Sequence, residues 1–293
     1  MTLDQLRVFV AVAERQHMTR AAESLNIAQS AASASIAALE GRHGTRLFHR
    51  VGRGIELTQA GQAFLIEARA VLARAAAAEH VLSDLGDLSR GTLLVQASQT
   101  IASYWLPRHL VAFRRAHPGI DIQLTVGNTA QVAAAIHDGL AELGFVEGAV
   151  HDPLLESRKV ARDQLLIVVG PDHPWASRAH ITAAQLPESD WVLRESGSGT
   201  RTVFEAALEA FGVPPASLRV ALTLPSNESV RAAVEAGLGA TALSASVAAP
   251  SIEAGLLRPV GLALPERDFH VLRHTERYRS RPAEALLELI GAA

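Results

Sequence analysis

The stretch from Ala21 to Glu40 constrains this chain more than any other. Its apolar residues recur at helical spacing in two short blocks with Asn26 between them. Ala21, Ala22, Leu25, Ile27, Ala32, Ile36 and Leu39 form one predicted buried set. Gln29, Ser30 and Ser33 open the second block and point away from that set. Two short helices joined by a tight turn, the second with small polar residues on its outer face, make a helix-turn-helix. Small side chains let such a helix sit deep in a DNA major groove, and Gln can pair bidentately with adenine. Thr19 is a candidate N-cap for the first of the two helices. With Arg20 it joins the candidate DNA-facing residues.

The flanks extend the pattern. Helices are predicted over 2–15, 19–26 and 30–40, followed by a hairpin over 46–57. Its turn, Val51-Gly52-Arg53-Gly54, has two glycines that accept turn conformations at low steric cost. From such a wing Arg50 and Arg53 can reach phosphates or the minor groove. One long helix is predicted from Thr58 to about Leu85, with no Gly or Pro between Gly61 and Gly86. Phe64, Val71, Ala78 and Leu85 repeat every seven residues, with Ala68, Ala75 and Leu82 four after them. About 25 residues of helix span roughly 40 Å, more than a small N-terminal domain can cover. The expected partner for this seam is a second copy of the chain.

A length of 293 residues suits two or three domains, and a hydrophobic content of 48% supports real cores. Every long apolar stretch is interrupted by Arg, Glu or Asp, so no membrane span is expected. The opening MTLDQLRVF lacks a charged segment followed by an apolar core, so no secretory signal is expected. Absence of Cys excludes disulfides, thiol catalysis and Cys-ligated metal. These features point to the cytoplasm. The net charge is −3, yet residues 1–58 carry seven Arg against five acidic residues. The positive surplus therefore sits where DNA contact is expected.

After a hinge-like run over 83–91, strands alternate with helices, the mark of an α/β sheet domain. Strands are predicted at 92–97, 120–126, 141–146, 165–169, 191–194, 218–224, 240–243, 256–260 and 269–273. Helices are predicted at 105–116, 129–137, up to 211, at 229–236 and at 282–290. Four segments place small or hydroxyl residues between a strand and a helix. They hold Ser98, Gln99 and Thr100; Asn128 and Thr129; Ser198, Thr200 and Arg201; and Asn227. Each aims helix N-terminal N–H groups at the carboxyl edge of a sheet, a setting that suits anions. Arg201 can pair with a carboxylate or phosphate, or form a surface ion pair.

The N-terminal segment closely resembles the LysR-type transcriptional regulators. The match runs through Leu3, Leu6, Phe9, Thr19-Arg20-Ala21-Ala22, Leu25, Gln29, Ser33, Ile36, Leu39-Glu40, Gly44, Leu47-Phe48 and Arg50. It closes at Leu57-Thr58-Gln59-Ala60-Gly61. Ser30 stands where many members have Pro, and His43 where they have Leu. The segments around Ser98–Thr100 and Gly197–Arg201 look most like the branch controlling carbon-fixation or sulfur genes. The resemblance implies an all-α winged helix-turn-helix at 1–58, a linker and dimerisation helix with hinge at 59–90, and an effector domain at 91–293. The latter implies an α/β fold like type 2 periplasmic binding proteins, with lobe I at about 91–161 and 268–293 and lobe II at about 162–267. Crossings between lobes are expected near 161–163 and 267–269.

The implied function is promoter binding as a homodimer or homotetramer, responding to a small anionic effector between the lobes. RNA polymerase is a further candidate partner, and the implied location is the cytoplasmic nucleoid. No cofactor or metal is expected. The alternative is a solute-binding or enzymatic α/β protein with a helical N-terminal interaction domain. Against an enzyme, Gly197–Arg201 lacks the Walker spacing and lysine. Gly-x-Ser-x-Gly and His-Glu-x-x-His are also missing. His270 and His274 fall on a predicted strand, where a four-residue spacing makes no helix-face metal pair, and are expected at the surface.

Overall fold

The computed structural model describes every residue except Arg53, 85–90, Ala149, Ala179 and 292–293, and the backbone alone at Ala77 and 80–84. It forms two compact units, one built on Met1–Ser83 and the other on Asp84–His137 with Ala141–Ala293.

The first unit opens with α1 (Leu3–Arg15). Thr2 and Gln5 cap it reciprocally: the Thr2 hydroxyl accepts the Gln5 N–H at 3.2 Å and the Gln5 side chain accepts the Thr2 N–H at 3.0 Å. Its apolar stripe, including Leu6, Phe9 and Val12, packs on α2 (Met18–Ser24) and α3 (Gln29–His43). Asn26 makes the turn between these two in the left-handed region, at φ 55°, which Asn tolerates better than most residues. Two expectations are corrected here. Helix α2 begins at Met18, so Thr19 lies in its first turn, and His17 caps it by accepting the Arg20 N–H through Nδ1. Ile27 sits in the turn and is exposed, because only Ala21, Ala22 and half-buried Leu25 face inward from this side.

Strands β1 (Phe48–Val51) and β2 (Gly54–Leu57) pair antiparallel with Val51 opposite Gly54. The wing is anchored by α3: Glu40 Oε1 accepts the N–H groups of Leu47 at 2.7 Å and Phe48 at 3.1 Å. Thr58 closes it and starts α4 (Gln59–Asp84), its hydroxyl accepting the Gly61 N–H at 3.0 Å. A Cβ on Gly61 would lie 2.1 Å from the Leu47 carbonyl oxygen, so this crossing of helix and wing demands glycine.

Helix α4 has 26 residues, a length of about 39 Å. The seam expected along it is divided. Phe64 stacks on Phe9 at 4.8 Å and Ala68 is buried in the same cluster, so these two positions pack on their own domain. That corrects their assignment to a dimer seam; Phe9 and Phe48 offer an intramolecular apolar surface within reach of the first turns. Farther along, Val71 is 42% exposed, Ala75 is half-buried and Ala78 is exposed. The Leu82 side chain and Leu85 lie outside the described residues.

The second unit is one sheet with helices on both faces. Its first lobe holds parallel strands β3 (Gly91–Ser98), β4 (Ile120–Gly127) and β5 (Leu143–Glu147). A π-helical turn at Ile101–Trp105 leads into α5 (Leu106–Ala116), so helical structure begins before Trp105, where it was expected. Helix α6 (Thr129–Asp138) follows β4. Strand β6 (Leu155–Val169) then runs into the second lobe, ten residues longer than the 165–169 expected.

That lobe holds the parallel strands β7 (Asp190–Arg194), β8 (Arg219–Leu224) and β9 (Ala240–Ser244). Helices α7 (Gly199–Ala210), α8 (Asn227–Glu235) and α9 (Ala245–Glu253) alternate with them. Strand β10 shrinks to Arg258–Pro259. Strand β11 (Glu266–His274) returns antiparallel to β6, and α10 (Arg281–Ile290) packs on the first lobe. The strand order is β4-β3-β5-β11-β6-β9-β7-β8, with β10 on β6. His274 is buried, with its ring 6.3 Å from that of His137, rather than at the surface as expected.

The β6–β11 ribbon is pinned by Arg273, which forks onto Glu156 at 2.8 and 3.0 Å and reaches Glu284 of α10 at 3.0 Å. Hydrogen bonding from Arg273 holds the Glu156 carboxyl below its ordinary value. A group depressed in the folded state adds stability above its unfolded pKa and loses it as pH falls through the folded one. Glu156→Gln is therefore expected to melt lower than the parent at pH 7, with the gap closing below about pH 4. Melting curves across that range check it; a gap independent of pH would contradict it.

Candidate functional site

Two surfaces collect the residues singled out in the sequence. On α3, Ala32, Ile36 and Leu39 fix the orientation by packing on α1 and α2. Gln29, Ser30 and Ser33 are left exposed at its N-terminal end. From Gln29 to Leu39 this helix carries no charged residue, so its outer face is small and neutral. Thr19 and Arg20 are exposed in the first turn of α2, and Arg50 is exposed on β1. Arg53 lies outside the described residues.

The second group gathers where the two halves of the C-terminal sheet meet, at the position of the expected cleft. Strands β3, β4, β5, β7 and β8 end there at Ser98, Gly127, Glu147, Arg194 and Leu224. The chain restarts as helix at Gln99, Thr129, Gly199 and Asn227. Parallel pairing within each lobe is what brings these starts to one edge.

Bonds across the cleft are specific. Gln99 accepts the Asn227 N–H at 2.8 Å and donates to Glu228 at 2.6 Å. The Asn227 amide donates to the Thr100 hydroxyl at 3.0 Å. The Asn128 amide donates to Glu195 at 3.3 Å, and Ala130 N–H donates to the Gly197 carbonyl at 3.2 Å. The approach is close: a Cβ on Gly199 would meet Thr129 Oγ1 at 2.5 Å and the Glu147 carbonyl at 2.8 Å.

Two guanidinium groups stand in the walls. Arg194 forks onto Glu195, Nε to Oε2 at 2.8 Å and Nη2 to Oε1 at 2.9 Å, and its Nη1 donates to Asn227 Oδ1 at 2.6 Å. Burial works to raise the Glu195 carboxyl, but hydrogen bonds from Arg194, its own N–H and Asn128, with the Arg194 charge, outweigh it and hold it below its ordinary value. Arg267 donates to Asp163 through Nε at 2.7 Å and to the Thr200 hydroxyl at 3.0 Å. The other Asp163 oxygen accepts from Ser244 at 2.8 Å. Thr129 donates to buried Glu147 at 3.4 Å, while the buried Ser98 hydroxyl has no partner among the described residues.

The structure thus brings Ser98, Gln99, Thr100, Asn128, Thr129, Ser198, Thr200 and Asn227 to this edge. Arg201 goes elsewhere. One helical turn along α7 it pairs with Glu205 at 2.7 Å and lines a separate cavity of about 370 Å³ with Leu193, Leu208, Pro215 and Val220. Assignment of Arg201 to the cleft is corrected accordingly; the i,i+4 spacing to Glu205 is the physical reason. Sequence reasoning missed Arg194, Glu195, Asp163, Arg267, Glu147 and Glu228. One signal was available, since Arg194 closes a predicted strand at the ligand-facing edge.

Residues 3–62 match the family model described as "Bacterial regulatory helix-turn-helix protein, lysR family", and residues 86–293 match "LysR substrate binding domain". The chain belongs to the LysR family. The LysR-type relatives include the E. coli K12 "Uncharacterized HTH-type transcriptional regulator YeiE", 33% identical over 100% of this chain and 98% of that protein. A "Probable RuBisCO transcriptional regulator" of Cyanidioschyzon merolae is 34% identical over 96% of this chain and 95% of that protein. Among solved structures, full-length CbnR complexed with its target DNA is 25% identical, with a TM-score of 0.72 over 100% of each chain. This LysR-type chain is therefore a DNA-binding transcriptional regulator with an effector-binding domain, not an enzyme.

Proposed function

We propose that this regulator reads promoter DNA with the exposed start of α3, as a homo-oligomer built through α4, and responds to a small anionic metabolite between the lobes. Gln29, Ser30 and Ser33 read base edges; Thr19, Arg20, Arg50 and Arg53 contact the backbone. Val71, Ala75 and Ala78, with Leu82 and Leu85, carry the contact between copies. RNA polymerase is the further partner, and the site of action is promoter DNA in the cytoplasm. Ser98, Thr100, Asn128, Thr129, Ser198, Thr200, Asn227 and Arg194 bind the effector, with Gln99 tying the lobes together. The observation carrying the effector reading is the convergence of four helix starts and a buried guanidinium on one sheet edge. Ligand binding there shifts the balance between two lobe arrangements and so promoter output.

Fluorescence anisotropy on DNA from the gene's own upstream region tests the DNA half. Gln29→Ala is expected to relax base preference at one position per half-site, losing about 1–3 kcal/mol of discrimination. Arg50→Ala is expected to weaken binding to all sequences and lower the salt slope by about one. Parent-like behaviour of both variants on operator and random DNA would remove α3 and the wing from the interface.

A further inference from the structure

We propose that Glu195 is a built-in stand-in for the effector's acid group, and that an anion enters the cleft by taking the Arg194 guanidinium from it. The inference rests on the cleft being an anion site and goes on to name its cation and its competitor.

Exposure decides which partner can leave. The Arg194 side chain is 5% exposed and that of Glu195 is 28%. Arg194 ends β7, a strand flanked on both sides by β9 and β8, and its third hydrogen bond runs through Asn227 to Thr100 on the opposite lobe. Glu195 sits on the loop after that strand, its carboxylate otherwise held by Asn128 at 3.3 Å and by its own N–H. The carboxylate can turn out into water; the guanidinium cannot. A buried guanidinium left without an anion is costly, so it keeps Glu195 until another anion replaces it.

The second ion pair of the cleft shows the contrast. Arg267 and Asp163 are 1% and 5% exposed, directly opposed on β11 and β6, with Ser244 bonding to Asp163 and Thr200 to Arg267. Neither has anywhere to go. Of these two guanidinium groups, only Arg194 has an exchangeable partner.

The chemistry of the exchange follows from the fork. Nε and Nη2 present two parallel N–H groups, a match for two oxygens of a carboxylate or phosphate. The unpartnered Ser98 hydroxyl, at the same strand edge as Thr100, adds a donor for the newcomer. A neutral ligand gains nothing by displacing a carboxylate, so the device selects anions. Displacement of Glu195 also takes it from Asn128, breaking one of the bonds between the lobes. Binding and lobe rearrangement then become one event.

The test is titration calorimetry of the full chain with inorganic phosphate and with malonate, alongside melting curves that report folding. Glu195→Gln removes the competing charge, and affinity for both probes is expected to rise about tenfold or more, since the competitor no longer occupies the competent state. Glu195→Asp keeps the charge on a shorter stem and is expected to fall between; it carries the test where the Gln variant fails to fold. Arg194→Gln is expected to abolish binding of both probes. Equal affinity in the parent and both Glu195 variants overturns the exchange; if Thr100→Val still weakens binding, the anion-binding cleft survives it. Failure of the parent and both Glu195 variants to bind either probe overturns the anion-binding cleft and the exchange together.

Discussion

Arg267→Ala is expected to lower the stability of the effector domain by about 3–5 kcal/mol, the cost of leaving one partner of a buried ion pair uncompensated. Asp163 would remain buried with its Ser244 bond and no cation. The pair lies where β6 and β11 pass between lobes, with Arg267 opposite Asp163 in the ribbon register. Thr200 would lose its donor at the same time. Domains are stable by only about 5–15 kcal/mol, so the loss is a large fraction of the total. Calorimetric melting of the full chain measures it on the effector-domain transition. The double variant Asp163→Asn/Arg267→Leu is expected to recover part of the loss, because no unpaired charge remains. A single variant within about 1 kcal/mol of the parent would mean the pair contributes no more than a surface salt bridge.

Val71→Asp is expected to break the proposed oligomer and, with it, operator binding. Val71 is 42% exposed on α4, beyond the turns that Phe64 and Ala68 bury in the N-terminal core. Ile66, also on α4, is 61% exposed. If a second copy covers Val71, the substitution buries a carboxylate without a partner, costing several kcal/mol. The N-terminal core, centred on Phe9, Ile36 and Leu39, does not include Val71 and is expected to stay folded. Light scattering should show a smaller particle, and gel shifts on operator DNA should lose the retarded band. An unchanged particle mass would place the contact between copies elsewhere.

The N-terminal unit was legible because its signals are local. Ala21, Ala22, Ala32, Ile36 and Leu39 keep helical spacing and are all buried, and Gly52 turns the wing at φ 58°. Its errors are also local. A His cap is rarer than a Thr cap, so nothing in the sequence marks His17 as the cap beside Thr19. The division of the α4 seam was hidden because Phe64 and Val71 look alike in a heptad; only the tertiary position of Phe9 separates them. In the C-terminal unit, strand ends followed by hydroxyls and helices marked the cleft edge. The first ten residues of β6 did not read as strand, because Glu156, Arg158, Lys159 and Arg162 break any apolar alternation. They hold as strand through pairing with β11, more than a hundred residues away in the chain. The ion pair of Arg267 with Asp163 was invisible for the same reason. Helix α9 does not read as a helix in the sequence because Pro250 interrupts an otherwise ordinary helical run.

The most direct measurement on the coupling of effector to DNA is operator occupancy against effector concentration, in the parent and in Thr100→Val. Thr100 accepts from Asn227 across the cleft, so its hydroxyl is positioned by both lobes. The Val side chain keeps the shape and removes a hydrogen bond to a charged ligand, about 1.5–3 kcal/mol. The half-maximal effector concentration is expected to rise about tenfold to a hundredfold. An unchanged dose–response in Thr100→Val and in Thr200→Val alike would contradict effector binding in this cleft.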